Sequence, residues 1–319
     1  MKKRAWWLSL LLLAVYLFMA CNLRAYLGGD DLGSSLVQDK QGKIKVLASI
    51  YPLYDFANRV GGDLIEVKTI VPLGADPHSF EPSPKLLAEL QEADIFIYNG
   101  LGMEPWIKGA LDLLRKKDIL IIRASEGLDL IRYRPGQKAE NPEQGDLDPH
   151  IWMDPMNAQL IARRIKEALI EKDEDRAKDY KENYSLFEEE LNQLDEDFIR
   201  ALDNIANKKI LVSHSAFAYL AKRYGIEEIA VSGISPHEEP SPRRLADLIK
   251  VVENNNIKYI FYETLSNPKI AETLAREAGL KTSILYNIEG LTREQEARGE
   301  DYISLMRKNL LNINKVLVD

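Results

Sequence analysis

The chain has 319 residues, 45% of them apolar and 29% charged, with a net charge of −8. That length suits one large or two medium domains, and the apolar share is enough for a real core. The acidic balance argues against nucleic acid as a partner and does not repel a divalent cation.

Residues 1–21 read as an export signal rather than as part of the fold. Lys2, Lys3 and Arg4 form a basic start, and Trp6 to Ala20 is apolar apart from Ser9. That stretch is short for a spanning helix, which needs about 20 apolar residues. Cys21, the only cysteine, follows at once, so no disulfide can form within the chain. The junction looks like the lipobox of a bacterial lipoprotein with Cys21 lipidated, although Phe18 stands where such motifs prefer Leu. An uncleaved short anchor is the other reading. Either one places the protein outside the cytoplasm, and the lipid would hold it to the cell membrane. Residues 22–43, with Gly28, Gly29, Gly33, Ser34 and Ser35, read as a flexible tether.

From there strands and helices alternate. Strands are expected at Ile44–Ile50, Ile65–Pro72, Ala93–Tyr98 and Ile119–Ile122. Helices are expected at Pro52–Val60, Lys85–Gln91 and Glu104–Lys116. This order predicts an α/β fold with a parallel sheet and right-handed crossovers. Tyr133 to Pro149, rich in Pro, Gly, Glu and Asp, reads as an exposed loop. Met156 to about Asn207 has no internal Gly or Pro and carries apolar residues at helical spacing, with a break near Lys172-Asp173. Its second helix, Glu174 to Asn207, would span about 50 Å at 1.5 Å per residue. It is either a peripheral solvated helix or a strut tying two lobes together. A second α/β set follows, with strands at Lys209–Ser213, Glu228–Ser232, Lys258–Tyr262 and Thr282–Tyr286. Lobes at 44–172 and 208–319 joined by a linker helix at 173–207 are therefore expected. An internal echo supports two related halves with a cleft between them. Glu81-Pro-Ser-Pro-Lys-Leu-Leu-Ala-Glu-Leu90 and Glu239-Pro-Ser-Pro-Arg-Arg-Leu-Ala-Asp-Leu248 agree at seven of ten positions.

The chain has four histidines. His78 and His150 each follow Asp-Pro, where proline fixes the loop, and His214 ends the apolar run Lys209–Ser213. A lone histidine is usually structural. Three of four at strand ends or on proline-fixed loops point instead to one shared metal ion, with an acidic neighbour able to hold the second ring nitrogen. A closed site needs a fourth donor. Glu289, in the loop after the last strand and next to Gly290, is the best candidate, with a capping or surface carboxylate as the other reading. His237, in Ser-Pro-His-Glu-Glu-Pro, reads as a surface or loop-capping residue.

These motifs resemble the metal-binding receptors of ABC importers, the zinc and manganese solute-binding lipoproteins, over nearly the whole mature chain. The residues that carry the resemblance are His78 in D-P-H-S-F-E-P-S-P, His150 in H-I-W-M-D-P, His214 in V-S-H-S-A-F-A-Y-L and Glu289 in N-I-E-G-L-T. It implies two α/β lobes joined by one long rigid helix, with the metal between them and two ligands from each lobe. It implies no catalytic residues and a monomeric receptor that hands its ion to a membrane permease. Manganese-type members look like they carry carboxylates at the third and fourth positions. Here His214 takes the third, and three imidazoles with one carboxylate suit zinc better than manganese. The exposed loop before His150 lacks the histidines that some zinc members carry there, and no further zinc-binding domain is expected after the second lobe. The main rival is a secreted zinc hydrolase with Glu81 as its base, although no H-E-x-x-H is present. An adhesin with a structural metal is a third reading. Because histidine must be neutral to bind a metal, affinity is expected to fall below about pH 6.5.

Overall fold

The computed structural model describes residues 42–133, 146–233, 241–266 and 268–319. The signal segment, Cys21, nearly all of the tether, most of the loop before His150, and His237 lie outside the described residues.

The first half builds one parallel sheet from β1 (Ile44–Ala48), β2 (Ile65–Thr69), β3 (Ile95–Tyr98) and β4 (Leu120–Arg123), in the order β2-β1-β3-β4. Helices α1 (Tyr51–Gly61), α2 (Pro84–Leu90) and α3 (Ile107–Leu114) connect its strands. Two helices follow, α4 (Pro155–Lys172) and α5 (Ala177–Leu202). The second half repeats the plan. Strands β5 (Lys209–Val212), β6 (Glu227–Ala230), β7 (Tyr259–Tyr262) and β8 (Lys281–Ile284) pair in parallel as β6-β5-β7-β8. Helices α6 (Ala218–Tyr224), α7 (Pro242–Asn255) and α8 (Lys269–Ala278) join them, and α9 (Arg293–Ala297) and α10 (Tyr302–Val318) close the chain.

The echo in the sequence is a structural repeat. Ser83 and Ser241 both cap a proline-initiated helix, their side chains accepting from Leu86 N at 3.3 Å and Arg244 N at 3.2 Å. Each cap satisfies an amide that the first helical turn leaves without a partner.

Side-chain alternation along the strands divides the interior. Val46, Ala48, Ile95 and Ile97 of the first sheet and Ile210, Val212 and Phe261 of the second belong to one continuous apolar core. Leu47 and Phe96 point the other way, onto a separate cluster with Leu90, Trp106 and Leu114. Leu211 and Ile260 do the same with Leu248, Val252 and Leu274. The two halves are therefore not parted by a cleft through their full depth. Their inner faces share a core, and α5 runs through it with Tyr180, Phe187, Leu191, Leu194, Phe198 and Leu202.

Helix α5 packs on α1 and α4 of the first half and on α6 and α10 of the second, which is the strut arrangement rather than a peripheral helix. At 26 residues it is about 39 Å long, shorter than the Glu174–Asn207 reading. Residues 174–176 form a 3-10 turn after the expected break, where Tyr180 Oη donates to Asp173 Oδ2 at 3.1 Å. The helix stops at Leu202 because Asp203, Asn204 and Asn207 are weak formers that compete for the backbone. Strand ends also fall short of the readings at Ile50 and Pro72, since Tyr51-Pro52 starts a helix and Pro72 cannot extend a ladder.

Polar ties fix α5 to its neighbours. Arg223 of α6 makes a fork with Asp195 of α5 at 2.5 and 2.6 Å. Arg59 of α1 lies over the Phe187 ring at 4.9 Å and donates to Asp55 at 2.9 Å and Glu190 of α5 at 2.7 Å. It also donates to Asp301, the N-cap of α10. Removing this one cation leaves the buried Asp55 carboxylate uncompensated. Arg59→Ala is therefore expected to cost about 3 kcal/mol, the scale for breaking a buried pair from one side. Urea unfolding of the metal-free protein measures it, and a loss below about 0.5 kcal/mol contradicts it.

Candidate metal centre

All four residues singled out from the sequence sit beyond the carboxyl ends of strands, where open α/β sheets place ligands. His78 lies in the loop after β2 and His150 in the connection after β4; His214 is two residues past β5, and Glu289 five past β8.

The two Asp-Pro-His motifs fold alike. His78 N donates to Asp76 Oδ1 at 3.0 Å, and His150 N donates to Asp148 Oδ1 at 2.8 Å. These are Asx turns, in which the aspartate closes the loop two residues on and the proline between fixes φ. The second turn is further pinned by Asn99 Nδ2 on Pro149 O at 2.9 Å and by Tyr219 Oη, from the second half, on Asp148 O at 3.0 Å.

Glu289 is set by its own loop. Tyr286 N and O both pair with the Asn309 side chain at 2.7 Å, and Trp152 Nε1 donates to Asn287 O at 2.7 Å. The tight backbone conformation expected at Gly290 falls at Ile288 instead, with φ +59°. Gly290 serves close packing: a Cβ there would come within 3.2 Å of Leu265 Cδ1.

These loops bring the four side chains together. His78, His150, His214 and Glu289 are all buried and each offers one donor atom, the four atoms lying within 4.8 Å of one another. The geometry centres on one oxygen. Glu289 Oε1 is 2.9 Å from His150 Nε2, 3.4 Å from His78 Nε2 and 3.8 Å from His214 Nε2. His150 Nδ1 donates to Asp148 Oδ1 at 2.8 Å, which fixes the ring and directs Nε2 inward. His214 Nδ1 is 3.1 Å from Glu263 Oε2, a bonding distance, but the angle is poor, and among the described residues neither ring nitrogen has a hydrogen-bond partner. A fully buried imidazole without partners costs about 1–3 kcal/mol. A cation between the rings would satisfy it, so the donor set fits a metal.

The charges are coupled. Burial pulls His150 down, but the Asp148 carboxylate and then Glu289 outweigh it and leave its pKa at about 9. For His214 burial is outweighed in the same way by Glu263 and then Glu289, so it too rises well above the usual value. Glu289 moves oppositely: burial raises it, yet the His78 charge, the contacts from His150 and His78 and the nearby His214 ring hold it well below the usual carboxylate range. Asp148 is the acidic neighbour expected from Asp-Pro-His, and Glu263 is the residue that the sequence did not single out. The one signal for Glu263 is a carboxylate directly after the apolar run of β7.

Residues 46–316 match the family described as ZnuA: Zinc-uptake complex component A periplasmic. The chain belongs to that family. Within it, the zinc-binding lipoprotein AdcA of Streptococcus pneumoniae is 37% identical over 276 residues, covering 84% of this chain. The chain spans 55% of that relative's length. The high-affinity zinc uptake system protein ZnuA of Bacillus subtilis is 32% identical over 304 residues, covering 93% of this chain and 94% of its own. The fold is similar to the crystal structure of the Zn(II)-bound ZnuA-like domain of S. pneumoniae AdcA. The TM-score is 0.76 at 36% identity, covering 87% of this chain and 100% of that domain.

Protons and a cation held here would compete for the same nitrogens, and the raised pKa would move that competition upward from the 6.5 of a free imidazole. In the metal-free protein, NMR titration should show His150 losing its proton near pH 9. Its contribution to metal-free stability should be complete below about 6.5 and disappear as pH rises through about 9. Divalent-cation affinity should climb with pH across the neutral range and level off only above about 9. A plateau reached already at pH 7 contradicts this.

Proposed function

We propose that this chain is an extracytoplasmic, high-affinity zinc receptor that delivers the ion to the permease of an ABC importer. His78, His150, His214 and Glu289 are the zinc ligands in this reading, and no residue is catalytic. The observation that carries it is the approach of three buried imidazole nitrogens to one buried carboxylate oxygen. Three nitrogens and one oxygen form a four-donor zinc shell, whereas manganese prefers more oxygen. Manganese capture by the same four residues is the alternative. The zinc named for the family and for its relatives supports the first reading.

The four donors come two from each half of the fold, and α5 is the strut between the halves. The segments 44–172, 173–207 and 208–319 are read accordingly. Ahead of them we place a lipoprotein signal segment at 1–21, cleaved before Cys21, lipidation of Cys21 as the first mature residue, and a tether that lets a monomer reach the permease from the membrane surface. A zinc hydrolase is disfavoured because Glu81, its proposed base, is solvent-exposed, and four protein donors leave no open position for substrate. In this function zinc is cargo. Asp148 and the Asx turns hold imidazoles ready, Glu289 supplies the charge, and burial excludes water.

Elemental analysis after zinc loading should give one ion per chain, and chelation should remove it without unfolding the protein. Glu289→Ala and His214→Ala should each weaken zinc at least a hundredfold in chelator competition, since each removes a whole donor. Wild-type protein that prefers manganese to zinc in the same competition sinks the zinc assignment.

A further inference from the structure

The repeat extends to a feature beside the metal centre. Ser49 and Ser213 occupy matching positions, one residue past β1 and β5. Each amide donates to the neighbouring strand, Ser49 N to Ile97 O at 2.8 Å and Ser213 N to Phe261 O at 2.9 Å. Each hydroxyl donates to a buried glutamate, Ser49 Oγ to Glu104 Oε1 at 2.5 Å and Ser213 Oγ to Glu263 Oε2 at 2.7 Å.

The two glutamates then differ. Glu104 also accepts from Asn99 N at 2.7 Å and Gly100 N at 3.0 Å, and the residue after its serine is Ile50. It is a structural carboxylate satisfied by backbone. Glu263 accepts instead from Ser266 Oγ at 2.9 Å, and among the described residues its Oε1 has no hydrogen-bond partner although the residue is 1% exposed. The residue after its serine is His214, whose Nδ1 lies 3.1 Å from the same Oε2 that the two hydroxyls hold.

We infer that Glu263, held by Ser213 and Ser266, is the positioning residue for His214 and contributes to the preference for zinc over manganese. The inference rests on the proposed role of His214 as a ligand. A turn of the ring brings Nδ1–H into line with Glu263 Oε2. Nε2 then carries the lone pair toward the ion, and the anion behind the ring strengthens that nitrogen as a donor. A stronger nitrogen donor favours zinc more than manganese, because manganese draws more of its affinity from oxygen. His150 with Asp148 has the same backing already in line, so Glu263 makes the second of two carboxylate-backed imidazoles.

The test is a double-mutant cycle on the full mature chain, with zinc and manganese dissociation constants from chelator competition. Glu263→Gln keeps the shape and removes the charge. It should weaken zinc about tenfold or more, with a smaller loss for manganese. Ser266→Ala should give a smaller loss of the same kind and keeps the idea testable if the Gln variant folds poorly. In the His214→Ala background Glu263→Gln should change nothing further, because its effect passes through that ring. The visible spectrum of the cobalt-substituted protein should shift in Glu263→Gln and not in Glu104→Gln. Equal zinc affinity in wild type and Glu263→Gln overturns the inference alone, as does the same fold-loss with and without His214. Failure of the wild type to bind zinc overturns the proposed function as well.

Discussion

One buried anion governs this molecule. Glu289 is 2% exposed and sits where loops from both halves meet. A carboxylate so placed costs several kcal/mol unless a positive charge stands beside it. Imidazoles from both halves provide that charge in two interchangeable ways. With protons on their nitrogens they are cations themselves, which is why His150 and His214 are pushed up and Glu289 is held down. In the proposed function, with those protons gone, the lone pairs and the carboxylate would together hold a metal ion that carries the charge. Capture and release would then be an exchange of proton and cation around a fixed anion. The loops need only local adjustment for it.

The shared core explains why the adjustment must be local. Swinging the two sheets apart would expose α5 and the inner faces packed on it. Each large apolar side chain brought into water costs about 1.5–3 kcal/mol. Exposing six such side chains from α5 alone would cost about 9–18 kcal/mol, as much as the whole stability of a typical domain. Packing thus opposes wide hinge motion before the stiffness of the helix is considered.

Much of this was legible in the sequence because the relevant signals are local. Buried parallel strands such as Ile95-Phe96-Ile97-Tyr98 are short apolar runs, and proline and glycine mark their ends. The histidines stood out because there are only four, two of them preceded by Asp-Pro. Glu263 was hidden for the opposite reason. It is one of 50 acidic residues, and its partners Ser213 and His214 lie about 50 residues away in the chain. Helix α5 was read too long because Asn204 to Asn207 continue its polar character, and only the backbone competition of Asp and Asn ends it. The shared core was missed because alternation in a strand shows that two faces are apolar and not what each face meets.

The loop carrying Glu289 shows how the halves depend on each other. Ile288 is β-branched, 1% exposed and in the left-handed region, a conformation that costs about 1–3 kcal/mol. Such a backbone persists only where its neighbours over-determine it. Here Trp152 Nε1 holds Asn287 O at 2.7 Å and Tyr51 N reaches Glu289 O at 3.4 Å, both from the first half. Tyr302 Oη, from the second half, holds Trp152 O at 2.6 Å in return. Trp152 is two residues past His150, so the indole that clamps the strained loop belongs to the same turn that aims an imidazole at Glu289. The placement of the anion by one half and of its nearest imidazole by the other are thus set by a single set of contacts, and neither half can hold its donors in register without the other.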